Sequence, residues 1–184
     1  TKVEFKFFHA VSVCGLPELR IGPTGFEALF KIIVGQQLST TAANSIWKRL
    51  LDSNLSQIES VRAEDEEKLK NCGLSGMKAS YVRGLAFAEL DYDSLPGKSN
   101  SNIINELLAV RGIGLWTAQI YLMFTLRRSD IFPCGDLALK EGTKALFNLE
   151  VRPSSEELYQ LSQRWKPLRT VAAMIIWKYY GHIK

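Results

Sequence analysis

The 184-residue sequence has little of what builds covalent or metal-held scaffolds. Its three cysteines, Cys14, Cys72 and Cys134, are odd in number and far apart. That argues against a disulfide framework and suits a reducing compartment. Its two histidines, His9 and His182, stand near opposite ends, so no zinc-ligand spacing exists. No apolar run reaches the roughly 18 residues that a membrane span needs. No secretory signal pattern opens the chain at Thr1. Neither sign of charge dominates: 23 Lys and Arg against 19 Asp and Glu give a net charge of +4. A mildly basic chain permits a nucleic-acid partner without requiring one. Strand-like alternation is weak and confined to Lys2–Phe8. No internal repeat, low-complexity tract or heptad is present, so a monomer is expected.

What is present reads as short helices joined by turns. With 46% hydrophobic and 23% charged residues, the chain can bury a core. Thr24 and Glu27 form a capping-box pattern ahead of a helix through Val34, with Phe26, Leu29, Phe30, Ile33 and Val34 at helical spacing. Further helices are predicted at about Thr40–Leu51, Leu55–Val61, Glu64–Asn71, Met77–Leu90, Asn102–Val110, Leu115–Leu126, Leu137–Phe147, Ser154–Gln163 and Lys166–Tyr180. Gly73 is a stop signal, and Ser154 with Glu157 is a second capping box. Asp91–Asn100, with Pro96 and Gly97, is the most linker-like segment. The expected fold is all-α: an orthogonal helical bundle in one domain over residues 1–184. Two small helical lobes would join near 91–101, with an active-site cleft between them.

The stretch Leu107–Ala118, LLAVRGIGLWTA, is the most informative. Gly112 and Gly114 bracket Ile113 in a tight turn, and Thr117 and Ala118 begin the next helix. Glycine permits positive φ and close approach of another molecule. The helix that follows offers unpaired N–H groups and the positive end of its dipole, a ready phosphate site. A bend that merely needs glycine would look the same.

This stretch resembles the helix-hairpin-helix motif. Together with IIVGQQLST at Ile32–Thr40, DIFPCGDLALK at Asp130–Lys140 and RWKPLRTVAAMIIW at Arg164–Trp177, it is similar to the helix-hairpin-helix DNA glycosylase superfamily. Within that superfamily it looks most like the 3-methyladenine DNA glycosylase II branch. The extra N-terminal β domain of some members has no counterpart here. The resemblance implies a DNA-repair enzyme of base excision. It would flip an alkylated purine from duplex DNA and hydrolyse its N-glycosidic bond. A catalytically weak homologue that only binds damage or abasic sites is the alternative.

The resemblance puts the catalytic carboxylate at Asp136, which on local grounds is also a helix cap. A fixed carboxylate suits the chemistry, because the transition state carries oxocarbenium-like positive charge. Bifunctional relatives have a lysine two residues after the second hairpin glycine. Here that residue is Trp116, which implies hydrolysis without lyase action. Trp116 and Trp177 match aromatic positions of the base pocket, although tryptophans commonly fill cores. Trp47 and Trp165 are assigned to the core. Ile120 and Leu137 stand where some relatives have tyrosine, implying a more aliphatic pocket. Gln36, Gln37 and Leu38 occupy the loop from which relatives insert a side chain, with Gln37 or Leu38 as the wedge. DNA contacts are expected from Arg111, Gly112, Ile113, Gly114, Thr117, Lys140, Lys166 and Arg169, with Lys144 and Arg164 as further basic candidates. No cofactor is expected, neither zinc nor an iron–sulfur cluster, which would need four cysteines. The resemblance does imply a monovalent cation at hairpin carbonyls around Arg111 and Ile113. Such an enzyme would work in the cytoplasm with the nucleoid in a bacterium, or in the nucleus of a eukaryote.

Overall fold

A computed structural model describes residues 2–18 and 22–184, with side chains from Phe5 onward. In chain order the helices are α1 (Lys2–Cys14), α2 (Gly25–Gly35), α3 (Thr40–Asp52), α4 (Ile58–Ala63), α5 (Glu66–Asn71) and α6 (Gly76–Ala86). They continue with α7 (Asn100–Leu108), α8 (Leu115–Phe124), α9 (Leu137–Phe147), α10 (Ser155–Ser162) and α11 (Arg169–Ile183). Short 3-10 turns lie at Leu95–Gly97 and Gln163–Trp165, and no strand occurs among the described residues. The fold is all-α, as the periodicity predicts.

Two compact units make up the chain: Gly22–Leu126, and Thr1–Ile21 with Arg127–Lys184. The linker-like stretch near 91–101 is not where the chain passes between them. It lies inside the first of these units, and Leu95 within it is fully buried. Proline and glycine there make a turn between α6 and α7 whose single leucine anchors it to the core.

In the unit Gly22–Leu126, α2 is the central helix and packs on α3, α6 and α8. Leu29, Phe30 and Ile33 are fully buried. Phe30 meets Trp47 of α3 edge-on at 5.3 Å, which puts Trp47 in the core. The capping box at Thr24 does not form. Thr24 is the N-cap but its side chain makes no capping bond. Glu27 instead accepts from Gln57 Nε2 at 2.9 Å, ahead of α4. Gly73 ends α5 with φ +103°, the left-handed conformation that a stop signal implies.

The other unit is built on α11, which packs on α9 and α1. The weak strand signal at Lys2–Phe8 is overturned: these residues are helical. The apolar positions that matter are at helical spacing, with Phe7 and Ala10 facing inward while Phe5 and Phe8 stay exposed. Phe7, Phe132 and Phe147 surround Trp165 with ring centroids 5.2–5.9 Å apart. The capping box at Ser154 and Glu157 forms in both directions.

Helix α9 crosses α11 with almost no gap at Gly142. A Cβ there would stand 2.7 Å from Ile176 Cγ2 and 2.9 Å from the Ile176 carbonyl oxygen. Gly84 in α6 is exposed and has nothing within 4 Å of the same position. Alanine should therefore act oppositely at the two sites. Gly84→Ala should stabilise by up to about 1 kcal/mol through helix propensity. Gly142→Ala should destabilise on balance, because overpacking costs about 1–3 kcal/mol and exceeds that gain. Urea unfolding followed by circular dichroism measures both; equal effects would refute the close crossing.

Candidate catalytic and nucleic-acid-binding site

The unit Gly22–Leu126 carries the hairpin. Helix α7 ends at Leu108 and α8 opens at Leu115, with Gly114 as its N-cap. The two glycines are there for different reasons. Gly112 has φ +92°, and any Cβ on it would overlap the Tyr81 ring. Gly114 is extended, with φ −94° and ψ 175°, and its Cβ position faces open space. So positive φ is needed once, not twice, and Gly114 leaves room for an incoming group. The N-cap Gly114 makes no side-chain capping bond at the start of α8, and a helix N-terminus is the kind of place where backbone amides can meet an anion. Arg111 is exposed and its guanidinium lies 5.9 Å from the Tyr81 ring centroid.

Other hairpin residues work from within. Ile113 is 5% exposed and Thr117 2% exposed, so their side chains belong to the core and only their backbone is available outside. Gln36 Nε2 donates to the Gly112 carbonyl and to Thr117 Oγ1, both at 3.0 Å. Gln36 thereby fastens the loop after α2 to the hairpin. The two residues beyond it are exposed: Gln37 with φ +55° and Leu38 at the tip. Lys78 supports the loop from below, donating to the carbonyls of Val34 and Gln36 at 2.7 Å each. Burial pushes the Lys78 ammonium below its ordinary pKa. Trp116 and Ile120 lie half-buried on α8 of this unit, and the neighbouring Tyr121 is fully buried, its phenol pushed up to about 12 by burial.

The other unit carries Asp136 at the N-cap of α9. Its Oδ1 accepts the Leu139 N–H at 2.7 Å and the Trp177 indole N–H at 2.9 Å. The cap and the aromatic residue expected in the base pocket therefore meet at one carboxylate oxygen. Trp177 also lines a cavity of about 300 Å³ with Pro17, Glu18, Met174 and Lys178. Lys178 Nζ donates to the Leu16 carbonyl at 2.7 Å and ties that segment to α11. Leu137, next to Asp136, is 60% exposed. Lys140 and Lys144 are half-buried on α9, while Arg164 and Lys166 are exposed.

Arg169 stands apart from these basic residues. Its guanidinium donates twice to Asp130, Nε to Oδ1 at 2.7 Å and a terminal nitrogen to Oδ2 at 2.9 Å. This engagement holds the loop that leads to Asp136. Thr170 adds to it, its hydroxyl donating to the Arg128 carbonyl at 2.7 Å and accepting from the Ile131 N–H at 3.0 Å. Asp130, Thr170, Lys78 and Tyr81 all lie outside the residues singled out from sequence. Their partners are 30 to 44 positions away, as with Tyr81–Arg111 and Lys78–Val34, and no local pattern marks such pairs.

An all-α chain with a glycine hairpin opening a helix, and an N-capping aspartate behind a Pro/Gly loop, is a helix-hairpin-helix protein. Residues 30–167 match the HhH-GPD superfamily of base excision DNA repair proteins, and the chain belongs to it. It is 33% identical over 163 residues to DNA-3-methyladenine glycosylase 1 of Schizosaccharomyces pombe, covering 83% of this chain and 71% of that relative. Its structure is similar to that of a Schizosaccharomyces pombe 3-methyladenine DNA glycosylase in complex with abasic DNA, with TM-score 0.83 and 28% identity over 97% and 96% of the two chains. A DNA-3-methyladenine glycosidase from Bacillus halodurans gives TM-score 0.80 and 32% identity over 98% of this chain and 86% of that one.

The hydrogen bond from Arg169 holds the Asp130 carboxyl below its ordinary pKa of 3.8, with the guanidinium charge adding to it against desolvation. A depressed folded-state pKa stabilises fully above the unfolded value and is lost as pH falls through the folded one. Asp130→Asn should therefore lower the urea midpoint at pH 6, and the difference from wild type should shrink as pH drops below about 4. A difference that is constant with pH would show that the ionised carboxylate is not what stabilises the fold.

Proposed function

We propose that this protein is a DNA glycosylase that removes alkylated purines of the 3-methyladenine type from duplex DNA by hydrolysis, starting base excision repair. The observation that carries the reading is Asp136, a carboxylate held by two N–H donors on one oxygen at the start of a helix. The relatives' names, which include DNA-3-methyladenine glycosylase and a complex with abasic DNA, support both the substrate class and the nucleic-acid partner.

The steps follow from the residues. Outward amides of α8 grip a phosphate beyond Gly114, which fixes register without reading sequence. Arg111 on one unit, and Lys140 and Lys166 on the other, supply positive charge for DNA. Gln37 or Leu38 enters the stack as the damaged base leaves it, partly offsetting lost stacking. The reading takes Trp177, Trp116, Ile120 and Leu137 as the residues that meet the base, an aromatic and aliphatic set. A cationic alkylated purine gains from an indole face. As the N-glycosidic bond stretches, positive charge grows on the sugar. The Asp136 carboxylate stabilises that charge and orients the attacking water. Because the leaving base is already cationic, no separate general acid is required. With Trp116 at the lysine position of lyases, the product is an intact abasic site.

The reading needs no cofactor. A monovalent cation at the hairpin would be held by backbone carbonyls of 109–114, one of which, at Gly112, already accepts from Gln36. Among the described residues no helix is long and apolar enough to cross a membrane. The reading calls for a monomer acting where the cell keeps its DNA.

Release of free bases from methylated duplex DNA tests it. Wild type should liberate 3-methyladenine. Asp136→Asn should slow release by at least about 100-fold, the usual scale for losing a transition-state electrostatic group, while DNA binding persists. Trp177→Phe keeps a ring but removes the indole N–H. It should cost roughly tenfold in rate, the lower end of a hydrogen bond to a charged acceptor. Tight binding without base release would make the protein a reader of damage instead. A covalent complex trapped by borohydride would revive lyase chemistry.

A further inference from the structure

Lys78 stands where a lysine should not. It is in the first turn of α6, whose N-cap Ser75 accepts from the Lys78 N–H at 3.3 Å. A cation at a helix N-terminus opposes the dipole. Among the described residues no carboxylate pairs with it. Its partners are the carbonyls of Val34 and Gln36 at the C-terminal end of α2, both at 2.7 Å. A departure from local preference is explained by what the residue holds elsewhere.

What it holds is a strained turn. Leu38 N–H donates to the Gly35 carbonyl at 3.3 Å, which closes the loop, and Gln37 inside it has φ +55° although it is not glycine. Gln36 presents its carbonyl to Lys78 and its side-chain amide to the hairpin at Gly112 and Thr117. A single hydrogen-bonded path thus runs from α6 through the loop to the phosphate-gripping hairpin. Gln37 and Leu38 project from the middle of it, exposed.

We propose that Lys78 is a positioning residue for base flipping: it braces the 36–38 turn against the 109–114 hairpin, so that phosphate grip and side-chain insertion occur in one fixed register. This rests on the reading of the turn as the wedge. Removing the ammonium would leave the carbonyls to water and the turn free to relax, with the hairpin intact. The defect would then be confined to opening the stack.

The test uses Lys78→Met, and Lys78→Gln as a milder variant that keeps one donor group. The first readout is fluorescence of 2-aminopurine placed beside a tetrahydrofuran abasic-site analogue in duplex DNA, which reports insertion without requiring excision. Lys78→Met should bind this duplex within about threefold of wild type, a hairpin-dominated affinity, yet produce less than about half the fluorescence change, with Lys78→Gln between. The second readout is excision of one lesion in two settings. In a well-paired duplex Lys78→Met should be slower by roughly 10- to 100-fold, the scale of lost hydrogen bonds to a charged group. In a mismatched duplex, where the stack is already loosened, the loss should shrink to under about threefold. Equal losses in both settings overturn the proposal. So does a fluorescence change that is the same in Lys78→Met as in wild type, or absent in wild type. If wild type excises nothing, the glycosylase reading fails while the fluorescence still decides the role of Lys78. Should Lys78→Met lose its helical circular dichroism, Lys78→Gln carries the same comparisons.

Discussion

The crossing of α9 over α11 at Gly142 is the constraint on which the unit that carries Asp136 depends. With no side chain at that position, the α9 backbone lies against Ile176. Trp177 is the next residue on α11, and Asp136 caps α9 less than two turns before Gly142. The close crossing therefore sets the distance at which the indole N–H reaches the carboxylate, 2.9 Å. The loop that delivers Asp136 is fixed from the other direction, by Arg169 on Asp130 and by the Thr170 hydroxyl. One helix, α11, thus holds both the loop and the residue it delivers.

The unit that carries the hairpin follows a different physical logic. Its critical groups are backbone amides and carbonyls, so the side chains that matter are those that hold backbone. Gln36, Thr117, Tyr81 and Lys78 do so from partly or wholly buried positions. Arg111, Gln37 and Leu38 above them are exposed. Rigid support beneath and adaptable groups above is an arrangement that lets a binding surface hold its geometry.

Much of this was legible before the structure. Helical periodicity located the helices because inward residues such as Leu29, Phe30 and Ile33 repeat every three to four positions. Asp136 was legible as a helix cap, and the structure shows it capping α9. The hairpin was legible from Gly112 and Gly114, although only Gly112 proved to need positive φ. Where sequence reading failed, a competing partner had intervened. Glu27 bonds Gln57 rather than closing a box on Thr24. Lys2–Phe8 coils because the aromatic cluster around Trp165 takes Phe7, which a helix presents together with Ala10. Asp91–Asn100 has the composition of a linker, but Leu95 is buried and holds it in place.

The sequence by itself determined the all-α class, the order of the helices after α1 and the turn glycines. Each of these depends on spacing along the chain or on a residue's intrinsic conformational range. Only the tertiary structure decided which groups touch. It joined Trp177 to Asp136 across 41 positions and Gln36 to Thr117 across 81, and it assigned Arg169 to Asp130. Hydrogen bonds of that range are set by how helices cross and how closely they approach, which local pattern does not encode.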